Sequence, residues 1–198
     1  MAFGIDTTEP LGRSRIKEIR PLVSFVGRYI YPNWWKGMSH TEAKMLSRAG
    51  IWIVSIFERH PVGRQYFIDE ADKDAELVNE WAYWYGQPAD GCVYLTVDYD
   101  APPNDLNEIE NYIRRIYKTT KYPLGIYGSG FVCEEMKKAF PDLRTWLSES
   151  KRWRGSQVAV EAGSHFNIVQ ELSQLKLSFE HSIDRSDGNA GGWRLKNA

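Results

Sequence analysis

Cys92-Val93-Tyr94-Leu95-Thr96-Val97-Asp98-Tyr99-Asp100 is an apolar run that closes on two acidic residues. The uncharged stretch up to Val97, rich in β-branched and aromatic side chains, reads as a buried strand. Residues two apart in a strand face the same way, with Cα atoms roughly 6.5–7 Å apart. Asp98 and Asp100 are therefore predicted side by side where the strand meets solvent. Neighbouring like charges raise each other's pKa, which gains a strand nothing. An active site needing one protonated and one ionised carboxyl does gain from it. The alternative is an Asp-rich turn, because Ala101-Pro102-Pro103-Asn104-Asp105 follows.

The same pattern recurs outward from this stretch. Phe3-Gly4-Ile5 leads into Asp6, and Ile51-Trp52-Ile53-Val54-Ser55-Ile56-Phe57 leads into Glu58. Leu124-Gly125-Ile126-Tyr127 ends in Gly128-Ser129-Gly130, small residues that let a ligand approach the backbone. Acidic residues at the C-terminal ends of several strands mark the catalytic face of a parallel α/β barrel.

Strand and helix signals alternate along most of the chain. Phe25 to Tyr31 reads as the second strand. Ser39-His40-Thr41-Glu42 is a capping box in which Ser39 and Glu42 both satisfy free N–H groups, and Gly50 ends that helix. Ala71, Ala75, Val78, Trp81, Ala82 and Tyr85 mark a further helix, stopped by Gly86. Leu106, Ile109, Tyr112, Ile113, Ile116 and Tyr117 form the clearest helical stripe, and another helix runs from about Phe131 to Phe140. Beyond it the helices fade: Thr145–Ser148, Ile168–Glu171 and Ser178–Ile183 read as strands, and Gly188–Gly192 as a flexible tail. About eight strands and four or five helices predict an α/β fold, a small TIM-like barrel with reduced helices in its second half. An open doubly wound sheet is the alternative, but no Gly-x-Gly-x-x-Gly follows the first strand. The chain is read as a single domain over 1–198, with its core at about 3–184.

Composition narrows the partners. Basic and acidic residues number 25 and 26, so no field for nucleic acid is evident. Cys92 and Cys133 read as buried thiols, and His40, His60, His165 and His181 form no metal motif, so no cofactor or metal is expected. No apolar run reaches the roughly 18 residues of a membrane span. No signal peptide is visible, so the chain is expected to be made in the cytoplasm.

Gly4-Ile5-Asp6, Gly27-Arg28-Tyr29, Glu42-Ala43, Ala49-Gly50-Ile51, Asp98-Tyr99-Asp100, Gly125-Ile126-Tyr127-Gly128-Ser129 and Trp146-Leu147-Ser148 occur here as an ordered set. In that order they resemble the glycoside-hydrolase-like domain family once catalogued as domain of unknown function 1906. That family is similar to the family 25 lysozymes (Chalaropsis-type muramidases), which are short β/α barrels. The resemblance implies an Asp at the end of the first strand (Asp6), an Asp-x-Glu at the end of the fourth (Asp98-Tyr99-Asp100), and a late Gln and Asp (Gln170 and Asp184). Asp100 stands where those lysozymes place a Glu, which pulls the carboxyl back by roughly 1–1.5 Å.

The expected activity is hydrolysis of a glycosidic bond in peptidoglycan or a related N-acetylated polysaccharide. Asp100 is expected as acid/base, Asp98 as the orienting or stabilising carboxylate, Asp6 as the residue that positions the pair, and Glu58 as the reserve acid. Tyr29, Tyr127 and Trp146 are expected to line the cleft. Trp34 and Trp35, in a loop beside Pro32 and Asn33, are expected to touch the sugar. A barrel that binds glycan without cleaving it is the alternative, and a small-molecule enzyme on the same scaffold is a third. Without a leader, a wall-directed protein would need delivery by phage lysis or a secretion machine.

Overall fold

The structure is a computed structural model that describes residues 2–32, 34–59, 63–161, 165–171 and 175–196. Eight strands follow one another around a closed barrel: β1 (Ala2–Asp6), β2 (Phe25–Tyr29), β3 (Trp52–Phe57), β4 (Val93–Thr96), β5 (Leu124–Gly128), β6 (Arg144–Leu147), β7 (Ile168–Glu171) and β8 (Ser182–Ser186). The helices are α1 (Arg13–Ile19), α2 (His40–Arg48), α3 (Arg64–Asp69), α4 (Ala71–Trp84), α5 (Leu106–Thr119), α6 (Gly130–Ala139) and α7 (Ser156–Glu161).

Alternation along the strands makes two cores. Inward-facing Phe25, Val54, Ile56, Tyr94, Trp146 and Ile168 fill the barrel. Ile5, Val26, Ile53, Phe57, Val93, Leu95 and Ile126 face outward onto the helices. Three of the inner rings lie in slots left by glycines. A side chain at Gly4 would meet the Phe25 ring, one at Gly27 would come within 2.6 Å of Trp146, and one at Gly125 within 2.5 Å of Tyr94. The predicted stripe on α5 is the buried one, with Ile109, Tyr112, Ile113 and Ile116 against the barrel.

Several expectations need correction. β8 is Ser182–Ser186, later than the expected Ser178–Ile183, and it runs antiparallel to both β7 and β1. Ten residues separate β7 from β8, fewer than the dozen or more that a parallel crossover needs, so the chain turns straight back. The capping box is half made. The Ser39 hydroxyl accepts from the Glu42 N–H, while the Glu42 side chain turns inward to meet Arg28. Gly188–Gly192 is docked under the barrel. The Cys92 N–H donates to the Gly191 carbonyl at 2.8 Å, Trp193 pairs with Ile53, and its indole N–H donates to Ser55. Helices α1, α3 and α7 went unpredicted because each is short, with one or two apolar positions buried. Among the described residues no helix is long and apolar enough to cross a membrane.

Candidate active site

The C-terminal ends of the strands enclose a pocket of about 110 Å³ lined by Asp6, Tyr29, Ile56, Glu58, Thr96, Asp98, Tyr127, Trp146 and Gln170. Inward alternation delivers most of them: Tyr29 follows Phe25 and Gly27, Glu58 follows Val54 and Ile56, and Asp98 follows Tyr94 and Thr96. A wider groove of about 540 Å³ shares Asp6 and continues along Thr7, Thr8, Phe179, Glu180 and His181.

Asp6 is the hub of one wall. Gln170 donates from Nε2 to Asp6 Oδ2 at 2.6 Å. The other end of that amide accepts from the Glu149 N–H at 3.2 Å and lies 3.0 Å from the Tyr127 hydroxyl, which fixes which end is oxygen. Burial pushes the Asp6 carboxyl up to about 6. The Gln170 hydrogen bond opposes this, Glu149 adds to it, and Asp184 and Arg28 oppose it. Asp184 lies behind Asp6, fully buried and outside the pocket wall, so its expected place among the substrate contacts is corrected to one of support. Its Oδ1 accepts from the Trp146 indole at 3.0 Å, while its buried Oδ2 meets no donor. Burial, and then the charge of Asp6, raise the Asp184 carboxyl well above the ordinary range. Two adjoining buried carboxyls disfavour each other's ionisation, and at Asp184 this adds to burial in favouring the neutral form.

The opposite wall carries Glu58 and Asp98. Lys36 Nζ lies 3.1 Å from Glu58 Oε1, with the carboxylate side chain 10% exposed. Burial raises Glu58, and Lys36 opposes it through both charge and hydrogen bond. Asp98 keeps access to solvent, yet crowding by protein raises its carboxyl too, with Lys36 again opposing. The phenols of Tyr29 and Tyr127 are both held neutral, chiefly by burial.

Asp100, expected as the acid, does not join them in the pocket wall. β4 ends at Thr96 and the chain bends at Tyr99, which breaks the two-residue alternation. Asp100 Oδ1 accepts from the Arg154 N–H at 2.8 Å, outside the pocket wall. Trp34 and Trp35 also lie outside it. Trp34 packs edge-on against Tyr29 at 6.3 Å, and Trp35 is 66% exposed beyond it, 5.9 Å from Trp34. Trp146 lines the pocket with its ring while its indole N–H is spent on Asp184.

Sequence reasoning missed Ile56, Thr96, Lys36, Ser148 and Glu149. Ile56 and Thr96 share the parity of Glu58 and Asp98, a signal that was present. Lys36 lies in a loop without periodicity, and nothing local points it at Glu58. Among the described residues, no group of three or more His, Cys, Asp or Glu is placed to hold a metal ion.

An eight-stranded barrel with carboxyls gathered at its strand ends is an arrangement that glycoside-hydrolase-like proteins share. The chain belongs to the Rv2525c-like, glycoside hydrolase-like domain family, whose pattern it matches over residues 21–187. Asp6 lies before that match begins. It is 29% identical over 145 residues to the uncharacterized protein FadG of Bacillus subtilis (strain 168), a stretch covering 67% of this chain and 24% of that protein. The chain thus spans about a quarter of the length of that relative. Among solved structures, the Tat-secreted protein Rv2525c of Mycobacterium tuberculosis superposes with a TM-score of 0.76 at 18% identity, over 97% of this chain and 98% of that one. GHIP, a glycosyl hydrolase 25 of Streptococcus pneumoniae, gives 0.59 at 16% identity, over 92% and 85%. At such identities the likeness establishes the fold.

Proposed function

We propose that this barrel hydrolyses a glycosidic bond of peptidoglycan or a related N-acetylated polysaccharide. The observation that carries the reading is the convergence of Asp6, Glu58 and Asp98 on one pocket with aromatic walls. About 110 Å³ is too small for a run of sugar rings, but it takes one ring substituent, such as an acetamido group, from a chain lying in the adjoining groove.

Glycosidases protonate the leaving oxygen with one carboxyl and stabilise the developing positive charge with another. Glu58 takes the acid role that Asp100 cannot reach. It is largely enclosed by protein, raised by burial, and one methylene longer than an Asp. Asp98 faces the same space with access to solvent and serves as the orienting or stabilising carboxylate. Asp6, anchored by Gln170, holds the base of the pocket and helps orient the substituent within it.

Purified protein incubated with peptidoglycan and with chitin-like oligomers tests this, with mass spectrometry of the soluble products. New reducing-end fragments support hydrolysis and identify the bond. A second reading, glycan binding without cleavage, is favoured by the engagement of Asp100 with the Arg154 N–H. It predicts saturable retention of the protein on glycan and no new reducing ends.

A further inference from the structure

Lys36 takes no part in the pocket wall, yet its surroundings are those of a built site. Its ammonium bonds Glu58 and sits over the rings of Tyr29, Trp34 and Trp35, at 5.1, 5.0 and 5.5 Å from their centres. Three π faces and one carboxylate thus surround a single cation. The seat itself is held firmly. Gly37 bridges to Tyr29, and the Met38 N–H donates to the Tyr29 carbonyl at 2.9 Å. Gly37 has no room for a side chain, because a Cβ there would overlap the Tyr31 carbonyl. Trp34 packs on Tyr31 at 4.7 Å, and Tyr31 stacks on the buried Trp81 at 4.4 Å. Lys36 is therefore placed by a packed loop, unlike a solvated surface lysine, and its side chain is 21% exposed.

We propose that Lys36 is a positioning residue for the acid of this site: its caged ammonium fixes the Glu58 carboxyl and sets the pH at which that carboxyl takes up its proton. The inference rests on the glycosidase reading for its purpose, though not for its test. The charged and titratable groups facing Glu58 are Lys36 from the loop after β2, Asp98 from the loop after β4, and Tyr29 from β2. Tyr29 is neutral and Asp98 favours the protonated acid, so Lys36 alone among these three favours the anion. With the cation in place, the acid form of Glu58 is confined to lower pH. Without it, that form persists to higher pH.

The experiment is a pH titration of the Glu58 carboxyl carbon by NMR in protein labelled at glutamate, with Glu58→Gln identifying the resonance. Lys36→Met, which keeps the stem and removes the charge, is expected to raise the Glu58 midpoint by about one pH unit, a tenfold gain in proton affinity. Lys36→Gln moves it the same way, and Lys36→Arg returns it close to the wild-type value. Trp34→Leu, which loosens the cage, gives a smaller rise. An unchanged midpoint in both Lys36→Met and Lys36→Gln overturns the proposal, as does an Arg variant that titrates like Met. No substrate enters this measurement. A protein that cleaves no glycan yet shows the shift keeps the Lys36 inference, and an active hydrolase without the shift loses it.

Discussion

Gln170 donates to Asp6 across 2.6 Å, joining the end of β7 to the end of β1 over the intervening β8. On that intervening strand, the buried Asp184 carboxyl adjoins the same Asp6 from behind, and each influences the other's ionisation. The acid at the base of the pocket is thus held from two sides by groups that enter the sequence more than 160 residues later.

This arrangement sets a pH dependence of stability. The Asp6 carboxyl rises from 3.8 to about 6 on folding, so the native state binds its proton more tightly than the unfolded state does. Native stability from this group is therefore full below pH 3.8, and is lost as pH rises through about 6. The loss amounts to about 3 kcal/mol at most. Asp6→Asn removes the ionisation, so its stability relative to wild type should climb between pH 4 and pH 7. Urea unfolding at the two pH values checks this, and a difference that stays flat with pH contradicts it.

Burial, and then the charge of Asp6, favour the neutral form of Asp184, so Asp184→Asn is the substitution that preserves a neutral donor–acceptor group there. It should cost less than about 1 kcal/mol, whereas Asp184→Ala strands the Trp146 indole N–H and leaves a cavity, costing about 2–4 kcal/mol. Equal losses in the two variants, measured by denaturant midpoints, would show that Asp184 is buried as an anion.

On the outer face of β2, Arg28 Nε meets Glu42 Oε1 of α2 at 2.6 Å, with side chains 0% and 4% exposed. Arg28 also donates to the Thr7 carbonyl, in the loop directly after Asp6. Glu42→Ala leaves a buried guanidinium without its carboxylate and should destabilise the fold by about 3–5 kcal/mol. Thermal unfolding reads this out, and a loss under 1 kcal/mol would mean that the pair is readily hydrated.

Trp35 is the exposed end of the aromatic series that begins at Tyr29 in the pocket wall. Trp35→Ala should leave stability within about 0.5 kcal/mol of wild type, while weakening glycan binding by about 1 kcal/mol. Glycan affinity unchanged in this variant would place the sugar on the other side of the pocket, along Thr7 and Phe179.

The parity of the strands made most of the pocket legible in the sequence. Asp6, Tyr29, Glu58, Asp98, Tyr127, Trp146 and Gln170 were all named from strand ends or from the resemblance, and all line the same space. Parity failed at Asp100, because alternation holds only while the backbone stays extended and the chain bends at Tyr99. Lys36 was beyond reach for a different reason. Its meaning comes from packing in a loop, where spacing in sequence says nothing about direction in space. The reversal of β8 was readable in principle from the short connection before it, since ten residues cannot carry a parallel crossover.

In the proposed hydrolase, Glu58 and Asp98 rather than Asp100 carry the chemistry. Release of reducing ends from peptidoglycan, compared for wild type, Glu58→Gln, Asp98→Asn and Asp100→Asn, tests it most directly. Each of the first two variants should lose about 10²–10⁴-fold in rate, while Asp100→Asn keeps most of it. Full activity in Glu58→Gln, with activity abolished in Asp100→Asn, would contradict the account.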